Sequence, residues 1–224
     1  MGYSPEALRG VTGVMEGYDR AATLRLAFEL QPNARRVYVL CDQTPVGSYV
    51  RDLFPVLAQP YTNRAQFEFL WGASREELLR SIRALPSDAI LFDGSFVWDP
   101  TGVSPMINPG FFQELCRMSP APFYLCGEAT FLLQTNVNGA GIGGCVLEGR
   151  AHGQMAGQIA LRVMAGERPE GIPVTRNPPT STVIDYRVLS RFGLDPARIP
   201  PEARVYFEPP QSARSVRRWL LYSG

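Results

Sequence analysis

Short apolar runs recur along the chain, Val37 to Cys41, Ala89 to Phe92 and Pro122 to Cys126, and Phe67 to Trp71 is a further strand candidate. Each is too short for a helix, and runs of this kind suit central parallel strands covered on both faces. The segments between them carry helix signals. Thr44 followed by Pro45 is a cap with proline at the first helical position, and the helix continues to about Leu57. Ser74 with Glu77 three residues on is a capping box, followed by a buried stripe at Leu78, Leu79, Ile82 and Leu85. Asn108-Pro109 opens a further helix through Met118. Ahead of the first strand, Leu24, Ala27, Phe28 and Gln31 fall on helical spacing, Leu26 and Leu30 widen the stripe, and Pro32-Asn33 ends it. Strand and helix in regular alternation mean βαβ units with right-handed crossovers. The expected fold is therefore α/β: three layers, a mostly parallel sheet with helices on both faces.

In an open α/β sheet, ligands bind beyond the carboxyl ends of the strands. Here those ends are Asp42, Asp93 and Glu128 with their neighbours. Asp and Gly also favour turns for backbone reasons alone, so both readings stay open for each carboxylate. Trp71, Trp98, Tyr49, Phe96 and Tyr124 lie near strand ends or the turns that follow, where an aromatic ring either stacks on a ligand or joins the core.

Composition removes several function classes. The 22 basic residues are all arginine, against 21 acidic ones, for a net charge of +1. A near-neutral chain gives no electrostatic case for nucleic acid or an acidic substrate. Without lysine there is no Schiff-base or Walker-type amine. Cys41, Cys116, Cys126 and Cys145 are scattered without metal-ligand spacing, which reads as buried thiols, and no metal or cofactor is expected. His152 is the only histidine and stands at a helix start, with no GxSxG elbow elsewhere. Nothing in the sequence positively suggests catalysis. No apolar signal region opens the sequence, and no run of about 18 apolar residues occurs.

Gly139, Gly141 and Gly144 formally satisfy GxGxxG, but Gln134 to Asn138 make a poor preceding strand and the next helix starts late. The segment from Gly139 to Gly149 is expected to be a flexible crossover, with a flavodoxin-like or Rossmann-like enzyme as the alternative that would use it. A helix follows from His152 to Met164, stopped by Gly166. The last residues, with Arg214, Arg217 and Arg218 beside Trp219-Leu220-Leu221, read either as an approach to a membrane interface or as a charged surface helix.

Several pieces in order carry a family likeness: Val11-Thr12-Gly13, Leu30-Gln31-Pro32, Leu40-Cys41-Asp42, Ser74 with Glu77-Leu78-Leu79, Leu85-Pro86 with Ala89-Ile90-Leu91, Gly143-Gly144, Gly153 with Gly157 and Ala160, and Gly166-Glu167-Arg168-Pro169. Together they resemble the ABC-type substrate-binding family, the type 1-like periplasmic binding proteins. The closing stretch, Asp185-Tyr186-Arg187-Val188-Leu189, Arg191-Phe192-Gly193-Leu194 and Ile199-Pro200, looks more like the branch fused to membrane sensor histidine kinases. In that family a whole lobe precedes the Val-Thr-Gly segment, so the chain looks like one half of a two-lobed clamp. Residues 10–209 would be the ligand-binding lobe, with 150–166 a helix that in this fold class packs on the first lobe, and 210–224 a juxtamembrane-like basic tail.

The resemblance implies a small organic solute held between two lobes, with closure as the signal or the transport handle. It implies an extracytoplasmic, membrane-anchored sensor module, with an ABC importer receptor as the alternative. The expected partners are the solute, a first lobe outside this chain and a membrane-spanning segment downstream, with a homodimer left open and no nucleic acid. Ligand contacts are expected at Asp42, Thr44, Gly47 and Tyr49, at Asp93, Gly94, Ser95 and Phe96, and at Gly127 and Glu128. A carboxylate there would hold a ligand amine, and backbone amides from Thr44 to Gly47 would hold a carboxylate or phosphate.

Overall fold

The computed structural model describes residues 9–71, 74–98, 101–103, 109–127, 131, 141–176 and 179–210. Seven strands form one sheet: β1 (Arg36–Cys41), β2 (Gln66–Trp71), β3 (Ile90–Ser95), β4 (Phe123–Tyr124), β5 (Gly143–Leu147), β6 (Thr180–Asp185) and β7 (Arg204–Tyr206). They run in the order β2-β1-β3-β4-β5-β6-β7. All neighbours are parallel except β5 and β6, which pair antiparallel. The helices are α1 (Arg20–Leu30), α2 (Pro45–Ala58), α3 (Arg75–Arg83), α4 (Pro109–Met118), α5 (Gly149–Met164) and α6 (Tyr186–Arg191).

The expected three-layer α/β architecture is what forms. Along β1, Val37, Val39 and Cys41 pack with α1, α2 and α6, while Tyr38 and Leu40 pack with α3 and α4. Side chains of a strand alternate between faces, so a run apolar at every position needs cover on both sides. Handedness then fixes the path. The crossover β1-α2-β2 leaves to one side, and β2-α3-β3 returns to the other, which places α2 and α3 on opposite faces. The chain therefore reverses direction across the sheet between β1 and β3, the switch point beyond whose strand ends open α/β sheets form their binding crevice.

Local signals hold where they were strongest. Thr44 caps α2 by accepting from the Gly47 amide, and Ser74 and Glu77 form both halves of the capping box on α3. The glycine-rich segment is different. Gly143–Leu147 is not a crossover but the fully buried strand β5. A Cβ at Gly144 would run into the Leu125 carbonyl and stand 2.9 Å from the Thr23 methyl. Glycine is here because β4 and α1 press on the strand from either side, a constraint that acts across the fold rather than along the chain. The described part of the GxGxxG pattern, Gly141 to Gly144, thus leads into a strand, whereas a dinucleotide site needs a strand-to-helix turn.

Helix α5 has no buried residue, and its Leu161 and Met164 are 66% and 82% exposed. His152 on this helix is half-buried, with Nε2 3.4 Å from the Val14 carbonyl. Nearby, Val14 forms an isolated parallel bridge with Thr175. All four cysteines are buried free thiols. Among the described residues, no helix is long and apolar enough to cross a membrane.

Gly144→Ala is expected to lower the free energy of unfolding by about 3 kcal/mol, because a methyl group must displace backbone. Gly153→Ala, which faces open space within α5, should instead raise it by about 0.5 kcal/mol. Urea unfolding of the two variants measures both.

Candidate functional site

Beyond the carboxyl ends of β1 and β3 lies a cluster built on Asp42. Its backbone amide donates to the Ser95 carbonyl at 2.9 Å, which joins the two strand ends. Its carboxylate accepts from four donors. Oδ1 takes the Thr44 amide at 3.0 Å and the Thr44 hydroxyl at 2.6 Å. Oδ2 takes the Val97 amide at 2.7 Å and the Trp98 amide at 3.1 Å. At 4% exposure the side chain is buried, and these bonds offset the cost of burying its charge. One residue thereby fixes the start of α2 and the loop after β3.

Gly47 belongs to the same arrangement. A Cβ there would strike the Asp42 backbone carbonyl and come within 2.5 Å of Oδ1, so the first turn of α2 approaches the end of β1 only with glycine at this place. The amides of this turn are mostly engaged already. That of Thr44 goes to Asp42, that of Gly47 to the Thr44 hydroxyl at 3.1 Å, and Pro45 has none. Tyr49 is half-buried against the core on the α1 and α2 side.

At the end of β3 the register with β1 slips: Leu40 pairs with Asp93 and Cys41 with Ser95, which leaves Gly94 as a bulge. Bulges re-aim a strand end. Here the Gly94 carbonyl turns to accept from Arg20 Nε at 2.8 Å. Asp93 keeps partial contact with solvent. Burial pushes its carboxyl above the usual carboxylate range, against the opposing pull of the Arg20 guanidinium and of the Cys126 and Phe96 backbone amides. Burial likewise pushes the neighbouring Cys41 thiol up to about 12, so it is an inert thiol at neutral pH.

Ser95 is buried. Phe96 is half-buried, its ring 6.0 Å from that of Phe111 on α4. Gly127, half-buried, follows β4 and accepts from the Phe131 amide. Glu128 lies outside the described residues. Of the other aromatics near strand ends, Tyr124 is core, its hydroxyl donating to Gln31 at 3.0 Å. Trp71 is covered by the Arg51 guanidinium at 4.4 Å, and Trp98 is 43% exposed.

Arg20 and Tyr18 were not anticipated from sequence. The Arg20 guanidinium lies 5.2 Å from the Tyr18 ring, and the Tyr18 hydroxyl donates to Glu16 at 2.8 Å. The available signal was Asp19, which caps α1 by accepting from the Ala22 amide and so marks Arg20 as the first helical residue. That α1 starts above the end of β3 is a tertiary fact. The described residues include no group of acids, histidines and cysteines able to hold a metal ion.

Neither a protein-family model nor a curated protein sequence matches the chain. Solved structures do resemble it. An ABC domain from Streptococcus pneumonia, solved with L-Trp, aligns with a TM-score of 0.65 at 18% identity, over 88% of this chain and 65% of that one. A conserved domain protein from Vibrio cholerae aligns at 0.63 and 12% identity, over 87% of this chain and 62% of the other. The ligand-free, open form of a substrate-binding protein with adhesive properties from Clostridium difficile aligns at 0.65 and 16% identity, over 88% and 62%. At these identities the likeness is one of fold: the chain shares the α/β architecture of these domains. It spans less than two thirds of the length of these neighbours.

The position of Asp93 has a consequence for stability. A carboxyl raised in the folded state binds its proton more tightly there than in the unfolded chain. Its stabilising contribution is complete below the unfolded value of about 3.9 and is lost as pH rises through the folded value. Asp93→Asn should therefore be more stable than the wild type at pH 7, by a margin that shrinks toward pH 4. Urea midpoints at the two pH values test this, and a margin independent of pH would contradict it.

Proposed function

We propose that this chain is a small-solute-binding lobe whose ligand sits in the crevice beyond β1 and β3. The observation that carries this is the reversal of the chain between β1 and β3, with a bulge, the half-buried Asp93 and a pinned helix start converging there. The likeness of fold to substrate-binding proteins supports it. Asp93 and the residues after it, Gly94 to Phe96, with Thr44 to Tyr49 and Gly127-Glu128, form this lobe's side of the site. Asp93 receives a ligand amine. Asp42 and Gly47 shape the wall, since the carboxylate of the first and the missing Cβ of the second are committed to one another's surroundings. The chain itself is not an enzyme.

The solute acts by bridging this lobe to another. A ligand that touches both lobes only when they are closed shifts the open–closed equilibrium by its differential affinity. The closing segment from Asp185 to Pro200 supports an extracytoplasmic sensor module of a membrane histidine kinase, with residues 210–224 leading toward the membrane. The description of one neighbour as a substrate-binding protein favours the second reading, a receptor for an ABC importer.

A screen of amino acids, aromatic acids and nucleosides by thermal shift should find a solute that raises the melting temperature. Asp93→Ala should weaken an amine-bearing hit about tenfold or more, the loss expected for a hydrogen-bonded charge. Unchanged affinity would remove Asp93 from the site. In membrane vesicles holding the full-length gene product, the same solute should alter autophosphorylation if the protein is a sensor, whereas ATP-driven uptake would establish the importer.

A further inference from the structure

Arg20 is half-buried, and its guanidinium is incompletely used. Its Nε is bonded to the Gly94 carbonyl, which fixes the plane of the fork. Neither Nη has a hydrogen-bonding or ion-pairing partner among the described residues. Asp93 is near enough to be influenced electrostatically, yet among the described residues no carboxylate oxygen makes an ion pair with the guanidinium. Arginine presents its donors as a rigid planar fork that matches a carboxylate in two parallel hydrogen bonds. On a half-buried residue, a charge held in place by its neighbours and without a contact counter-ion among the described residues leaves that fork available to a ligand.

The competing place for an anion is the start of α2, and its chemistry is unfavourable. The Thr44 and Gly47 amides are internally bonded, Pro45 has no amide hydrogen, and the Asp42 carboxylate stands beside them. Anion binding at a helix start needs free N–H groups and no adjacent negative charge. Arg20 meets the electrostatic requirement that this turn does not.

We propose that Arg20 is the specificity-determining residue of the crevice and that the solute it selects carries a carboxylate, held by the two Nη groups while Nε stays on Gly94. The proposal rests on the solute-binding reading above. The guanidinium lies over the Tyr18 ring, 5.2 Å from its centroid, which helps hold it in place. A solute that also carries an amine reaches Asp93 from the same place, so an amino acid satisfies both groups and a plain amine only one.

The test uses the whole chain and a fixed panel: the L-amino acids, the amine and the carboxylic acid matched to each, and a set of nucleosides and sugars. Affinities are measured by calorimetry for the wild type, Arg20→Gln and Arg20→Lys. The tightest binder should carry a carboxylate. Removing that carboxylate, or substituting Arg20 with Gln, should each weaken binding by roughly 10- to 100-fold, the range for hydrogen bonds to a charged group. The two losses should not add, because each removes the same contact. Lysine, which keeps the charge and loses the fork, should recover only part of the affinity.

The Nε–H resonance of Arg20 in the 15N-labelled wild type gives a readout independent of any variant, and it should move with the carboxylate-bearing compound and stay in place with the matched amine. A tightest binder that lacks a carboxylate, or a carboxylate-bearing one that binds wild type and Arg20→Gln alike, would overturn the role of Arg20 and leave the solute-binding reading standing. A panel in which nothing binds would count against both.

Discussion

The carboxylate of Asp42 is the contact on which the ligand face of this fold depends. A parallel sheet delivers its strand ends to one edge but does not fix the loops that leave them. Asp42 does so with four accepted hydrogen bonds, two to Thr44 and two to the amides of Val97 and Trp98. Its own amide closes the link between β1 and β3 through Ser95. A buried carboxylate is costly unless its lone pairs find donors, and the same donors that satisfy it tie the start of α2 to the loop after β3. Gly47 is the steric counterpart, since the first turn of α2 lies this close only without a Cβ.

This shifts the meaning of the three carboxylates at strand ends. Asp42 is an internal brace. Asp93, half-buried as a residue and raised in pKa by burial, is the strand-end carboxyl that is not spent on bracing the loops. The bulge at Gly94 separates the two roles: it lets Asp93 and Ser95 occupy neighbouring register positions on β1 while the carbonyl between them turns to Arg20. A backbone irregularity at the end of a central strand thus determines where a guanidinium stands.

Much of the architecture was legible because it is written locally. Val37 to Cys41 reads as a two-faced strand from five consecutive apolar side chains, and Ser74 with Glu77 specifies a helix start through bonds within one turn. Strand β5 was missed because Gly143 and Gly144 look like a flexible joint to any local criterion. Gly144 is required by the pressure of Leu125 and Thr23, and Gly143 by its positive φ and the nearby Val183 carbonyl, neighbours that are near only after folding. Arg20 was missed for the same reason, its partner lying 74 residues away. Aromatics near strand ends were ambiguous until the fold assigned them: Tyr124 to the core, Phe96 toward α4, Trp98 to the surface.

The central claim is that solute binds beyond β1 and β3. Hydrogen–deuterium exchange of the chain, with and without the solute that stabilises it most, addresses this directly. Exchange should slow at 42–48, at 93–98 and around Arg20, and stay unchanged along α5 and at β7. Protection confined to α5 or to β7, with none at the ends of β1 and β3, would contradict the account.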